Sequence, residues 1–128
     1  IPLAGGECWA FQHEFERAAR DVGVEYLQPD VTSAGGITTT ARVASLADGA
    51  NVQCVPHVFG SAVALAASLQ VIATVPGDPM LEFDRTPNPI REDLAVDPIT
   101  NDGDSVPIRD RPGLGIEIDE AILDEYAR

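Results

Sequence analysis

Residues 24–57, VEYLQPDVTSAGGITTTARVASLADGANVQCVPH, decide the fold. Along residues 24–30, Val24, Tyr26, Gln28 and Asp30 share one face and Leu27 and Pro29 the other, the period of two of a β-strand. Residues 31–36 form a loop whose Gly35-Gly36 pair opens a small-residue helix over 37–48, which ends near Gly49. Residues 51–57 return to the period of two. Val52, Cys54 and Pro56 face one way, and Gln53, Val55 and His57 the other. Strand, helix and strand at this spacing predict two parallel strands joined by a helical crossover.

The pattern repeats outward. Residues 9–22 carry Phe11, Phe15, Ala18, Ala19 and Val22 at helical spacing and stop at Gly23. Before them, Ala4-Gly5-Gly6-Glu7 has the look of a strand end. Residues 60–75 predict a buried helix stopped by Pro76-Gly77, and residues 80–84 a last short strand. Each of the four strands ends near an ionisable residue: Glu7, Asp30, His57 and Glu82, at gaps of 23, 27 and 25 residues. This rhythm predicts an α/β fold, about four βα units of a (β/α)8-type (TIM-like) barrel, with its chemistry at the strand exits. A complete barrel takes about 250 residues, so residues 1–89 predict half of one. Open edges and an uncovered inner face predict a fragment, or a partner segment that completes it. Residues 90–128 follow a proline-punctuated loop at 85–89, and within them residues 98–128 alternate turns with short extended pieces and end in a helix from about Asp119. They predict a tail packed on the barrel or on a capping domain.

The formal net charge is −13, and all eight cations are arginine. Nucleic acids and anionic membranes need clustered cations, so neither is an expected partner. The acidity fits an ordinary cytosolic protein or one adapted to high salt, where screening mutes the repulsion; the absence of lysine favours the halophilic reading. Cys8 and Cys54 make no disulfide framework in a chain this long, which predicts a reduced, cytoplasmic setting. The most apolar run, residues 61–75, is broken by Ser68, Gln70 and Thr74 and falls short of the ~20 residues of a membrane span.

Asp30 and His57 are the most informative pair. On adjacent parallel strands their exits lie about 5 Å apart. An Asp hydrogen-bonded to a His fixes its tautomer and raises its basicity, as a general base or acid requires. A structural hydrogen bond at a strand end would use the same two residues. Glu7 is a solvated turn carboxylate or a ligand for a hard cation such as Mg2+, which would need further carboxylates from strands outside this chain. Glu82, between Leu81 and Phe83, is expected to have a raised pKa and to donate a hydrogen bond to a substrate oxyanion, or else to pair with Arg85 or Arg91. His13 falls on the polar side of its helix. The cysteines lack zinc-site spacing. Gly35-Gly36 is a weak anion signal, and Trp9 and Phe11 line a pocket or simply pack.

Several stretches together resemble the C-terminal barrel half of the mandelate racemase and muconate lactonizing enzyme group of the enolase superfamily. They are Ala4-Gly5-Gly6-Glu7, Gln28-Pro29-Asp30-Val31 with Gly35-Gly36-Ile37-Thr38, Val55-Pro56-His57-Val58-Phe59-Gly60-Ser61, Leu81-Glu82-Phe83-Asp84 with Thr86-Pro87-Asn88-Pro89, and Pro112-Gly113-Leu114-Gly115-Ile116-Glu117. The resemblance implies that Glu7 is a Mg2+ ligand on the fifth barrel strand. It implies that Asp30 and His57 are a His–Asp dyad on strands six and seven, and that Glu82 is the acid on strand eight. It also implies abstraction of the proton α to a carboxylate through an enediolate, with a small-molecule hydroxy or sugar acid as substrate, and a homo-oligomeric complete enzyme. An acid-sugar dehydratase is the first expectation, a racemase or epimerase the second, and an inactive barrel fragment the third. The chain alone, lacking the remaining ligands and the second-strand base, is expected to be inactive.

Overall fold

The computed structural model describes residues 1–127, and of Val22 only the backbone. Three short strands, β1 (Ala4–Gly5), β2 (Tyr26–Leu27) and β3 (Gln53–Cys54), form one parallel sheet in sequence order. Helix α1 (Gln12–Arg17) runs into a π-helical turn (Ala18–Val22) and links β1 to β2; α2 (Gly36–Gly49) links β2 to β3. After β3 come α3 (Ala62–Ile72), α4 (Pro89–Glu92) and α5 (Glu120–Tyr126). The register sets Ala4 beside Tyr26 beside Gln53, and Gly5 beside Leu27 beside Cys54. Backbone bonds carry the pairing past the formal strands. Gln28 N–H donates to Gly5 (2.9 Å), Val55 to Leu27 (2.9 Å) and His57 to Pro29 (3.2 Å).

The alternation read from the sequence sorts the two faces of the sheet. Leu27, Pro29, Cys54 and Pro56 are buried. Leu27 and Cys54 share a core with Phe15, Val43, Ala47 and Val71 from the helices. Gln53, on the other face, is exposed and Tyr26 half-buried. Val24 departs from the alternation. It lies in the helix-side core, because it precedes the first paired residues of β2 and leaves the Gly23 turn before the pleat is set. Helix α3 is covered on nearly every side, as its unbroken apolar sequence requires.

Three elements differ from expectation. Residues 80–84 form no strand and pair with no neighbour among the described residues. Gln53, Val55 and His57 turn their N–H groups toward β2, so Cys54 and Pro56 turn to the opposite edge, where Pro56 has no N–H to give. The first helix begins at Gln12 rather than residue 9. Phe11 precedes it with extended backbone (φ −125°, ψ 141°), is exposed, and stacks on His13 at 5.6 Å between ring centroids, so it does not join Phe15 in the core. Finally, α4 begins at Pro89, inside the stretch read as a loop over 85–89: Asn88 caps it by accepting from Arg91 N–H, and Pro89 fills the first turn, where no N–H is needed.

The tail closes over α3. Leu94 and Ala95 pack with Ala62 and with half-buried Ile116, Ile118 and Ile122, and Ala95 forms an antiparallel bridge to Ile118. Asp119 caps α5 through its carboxylate, as the expected start near that residue requires. No helix among the described residues is long and apolar enough to cross a membrane.

Gly6 sets the exit of β1. Its φ is +125°, and an added Cβ would lie 2.8 Å from the Phe15 ring and 3.3 Å from Gln28 N. Gly6→Ala should therefore lower the unfolding free energy by ~2 kcal/mol or more, seen as a lower urea midpoint at constant m. An unchanged midpoint would show that the turn tolerates a side chain.

Candidate active site

The sheet register brings Asp30 and His57 together: they are bridge partners three residues beyond the ends of β2 and β3. His57 Nδ1 lies 3.0 Å from Asp30 Oδ2. The other oxygen, Oδ1, accepts from Thr32 N–H at 2.7 Å and from the Thr32 hydroxyl at 2.6 Å. Asp30 is thus buried and held on both oxygens. An ionised carboxylate only accepts, so the proton between the pair is assigned to His57 Nδ1, and Nε2 is the outward nitrogen of the ring. That nitrogen faces the Glu7 carboxylate, with Oε2 at 3.4 Å. Side-chain exposure runs from 10% at Asp30 through 17% at His57 to 59% at Glu7, so the row leads from the sheet to solvent. Ser33 ties two of the exits, donating to the carbonyls of Glu7 (3.3 Å) and Asp30 (3.5 Å).

Glu82 joins this group through one side chain. Gln28, at the exit of β2, donates from Nε2 to Glu82 Oε2 at 2.9 Å. The expectation that Leu81 and Phe83 would hold Glu82 in an apolar setting is corrected: both neighbours are half-buried, but Glu82 itself is exposed on the uncovered inner side. Its expected arginine partners are engaged elsewhere. Arg91 pairs with Asp84 and Glu92, and Arg85 donates to Asn101. The Thr86 backbone N–H holds the Asp84 carboxyl below the usual carboxylate range against the opposing effect of burial, and the Thr86 hydroxyl and Arg91 add smaller effects in the same lowering direction.

Of the remaining candidates, Cys8 lies beside the site, with Sγ 4.0 Å from Glu7 Oε1, and the others do not join it. Cys54 packs on the helix side, where burial pushes its thiol up to about 12. His13 is exposed beside Phe11. Gly35 and Gly36 both have positive φ, and a Cβ on Gly35 would lie 2.9 Å from Thr39 Oγ1, so close packing at the start of α2 accounts for the glycine at 35.

Glu7 offers a hard oxygen donor of the kind Mg2+ takes, but among the described residues no three His, Cys, Asp or Glu side chains gather closely enough to hold a metal ion. The donor therefore fits a magnesium site in kind and not in number, since about six oxygens are needed.

Sequence reasoning had not singled out Gln28, Thr32 or Ser33. Thr32, two residues after an Asp at a strand end, carries the signature of an Asx turn. Gln28 shares the inward row with Asp30. Its contact with residue 82 joins positions 54 residues apart, which no local pattern encodes.

The chain matches the family described as Enolase C-terminal domain-like over residues 1–122. It is 40% identical to D-galactarolactone cycloisomerase of Agrobacterium fabrum, over 98% of this chain and 35% of that protein. To D-galactonate dehydratase of Variovorax paradoxus it is 34% identical, over 94% of this chain and 33% of that protein. The crystal structure of 3,6-anhydro-D-galactonate cycloisomerase from Zobellia galactanivorans superposes with a TM-score of 0.89 at 34% identity, covering 98% of this chain and 36% of that one. The chain thus spans about a third of the length of the relatives it matches. Its α/β architecture is that of a corresponding part of their barrel. With its mouth residues on successive strand exits and its family model matched almost end to end, the chain belongs to the enolase C-terminal domain-like family.

Proposed function

We propose that this chain supplies part of the active site of an enzyme that removes the proton α to the carboxylate of an acid sugar and then expels a β-oxygen. The observation that carries this reading is the 3.0 Å contact of His57 Nδ1 with an Asp30 carboxylate already held by Thr32. It leaves Nε2 directed toward the mouth, where its unprotonated form would serve as the general base. Nε2 takes the α-proton, and the C–H electrons move into the carboxylate, giving an enediolate. Those electrons then form the C2–C3 double bond and break the C3–O bond, and the departing oxygen takes a proton. His57 can return the proton it removed if both groups lie on one face of the substrate.

If the departing group is a hydroxyl, water leaves and the enol relaxes to a 2-keto-3-deoxy acid, which is dehydration. If it is a ring oxygen, the same step opens the ring without loss of atoms. Dehydration is the primary reading; the 40% identity to a cycloisomerase favours ring opening as the second. In both, Glu82 acts as the acid that hydrogen-bonds the carboxylate as it becomes an enediolate, with Gln28 holding its other oxygen. Glu7 would hold Mg2+ together with carboxylates from outside these residues, and the bound ion would offset the negative charge that develops on the substrate. We take residues 1–89 as the barrel portion and 90–128 as its tail, within a homo-oligomeric enzyme of a salt-rich cytoplasm.

In the full-length protein, His57→Ala should slow exchange of the substrate α-proton in D2O by ~10²–10⁴-fold while substrate still binds. Exchange at the wild-type rate would remove His57 as the base. Glu7→Gln should weaken Mg2+ binding, and an unchanged titration would remove Glu7 from the metal site. The melting temperature should climb with KCl into the molar range if the charge of −13 reflects salt adaptation; a flat response would leave only ordinary acidity.

A further inference from the structure

Glu82 stands on a segment with no ladder to hold it. Residues 80–84 pair with no strand among the described residues, and Glu82 is exposed. A carboxylate that must meet a developing charge cannot be left to swing, because misplacement by about 1 Å can cost ~10²-fold in rate. The chain supplies another restraint just beyond it.

Arg91, on α4, is buried (6% exposed) although its neighbours Pro89, Ile90, Glu92 and Asp93 are exposed. Its guanidinium donates to Asp84 Oδ2, to the Thr86 carbonyl and to Glu92 Oε1. Asp84 in turn accepts the Thr86 N–H at 2.9 Å, so the chain two to four residues beyond Glu82 is closed around one cation. The same short helix grips the loop after His57: Asn88 Nδ2 donates to the Gly60 carbonyl at 3.1 Å, while Asn88 Oδ1 accepts the Arg91 N–H at 3.3 Å. One element therefore fixes both the segment that carries Glu82 and the loop that leaves His57. A planar fork with several donors suits this task, since it restrains direction as well as distance.

We propose that Arg91 is a positioning residue that sets Glu82 against His57, acting through Asp84 on one side and through Asn88 and Gly60 on the other. This rests on the role given to Glu82 above.

The test is a double-mutant cycle in the full-length enzyme, read as kcat, KM and the rate of α-proton exchange in D2O. Arg91→Met should lower kcat and exchange by about tenfold or more with a much smaller change in KM. In a Glu82→Gln background the same change should cost less than about twofold, because Arg91 then has nothing left to aim. Equal cost in the two backgrounds would make Arg91 merely structural and overturn the proposal alone. Full activity of Glu82→Gln by itself would overturn the role of Glu82, and the proposal with it. Arg91→Met leaves Asp84 without its partner, so Arg91→Lys is the second variant. It keeps the charge, loses the fork, and should fall between wild type and Arg91→Met, again only where Glu82 is present. If Arg91→Met fails to fold, Arg91→Lys carries the cycle.

Discussion

A carboxylate and an imidazole stand 3.0 Å apart because two parallel strands place Asp30 and His57 as bridge partners. The chemistry proposed for this chain depends on that bridge. Parallel pairing puts successive strand exits at one end of the sheet, and the period of two decides which side chains turn inward there. A slip of one residue in β3 would turn His57 into the helix layer and Pro56 toward the mouth. The register is held from behind by Leu27 and Cys54, which fit among Phe15, Val43 and Val71. The helix-side core thus specifies the geometry of the Asp30–His57 pair without touching it.

The Thr32 bonds then convert position into chemistry. By occupying Asp30 Oδ1 with two donors, Thr32 leaves Oδ2 for His57 Nδ1. That leaves Nε2 directed to the side where Glu7 stands, as the proposed base would need. The order from buried Asp30 to exposed Glu7 suits a base that is oriented from within and meets its substrate at the mouth. Glu82 is held differently, by Gln28 and by the clasp around Arg91 rather than by a strand.

The features carried by short-range alternation were legible in the sequence. Leu27 against Asp30, and Cys54 against His57, give the facing of β2 and β3 directly, and Gly23 and Asp119 mark helix ends through their local chemistry. What was not legible needs knowledge of neighbours. Residues 80–84 alternate like a strand, yet pairing is a property of two chains of hydrogen bonds, and Pro56 on the facing edge offers no donor. Phe11 has helical spacing from Phe15, but the backbone becomes helical one residue too late to bury it. Glu82 lies in an apolar stretch, but burial depends on what covers the inner face. The Gln28 contact and the Arg91 clasp join residues by fold and side-chain reach, not by any repeat.

The central claim is that Glu7 and His57 face one substrate across one mouth. A crystal structure of the full-length protein with Mg2+ and an acid-sugar ligand tests it most directly. The expected result is the metal on a Glu7 oxygen at about 2.1 Å and the ligand α-carbon within about 3.5 Å of His57 Nε2. A ligand bound with its α-carbon remote from His57, or a metal held without Glu7, would contradict it.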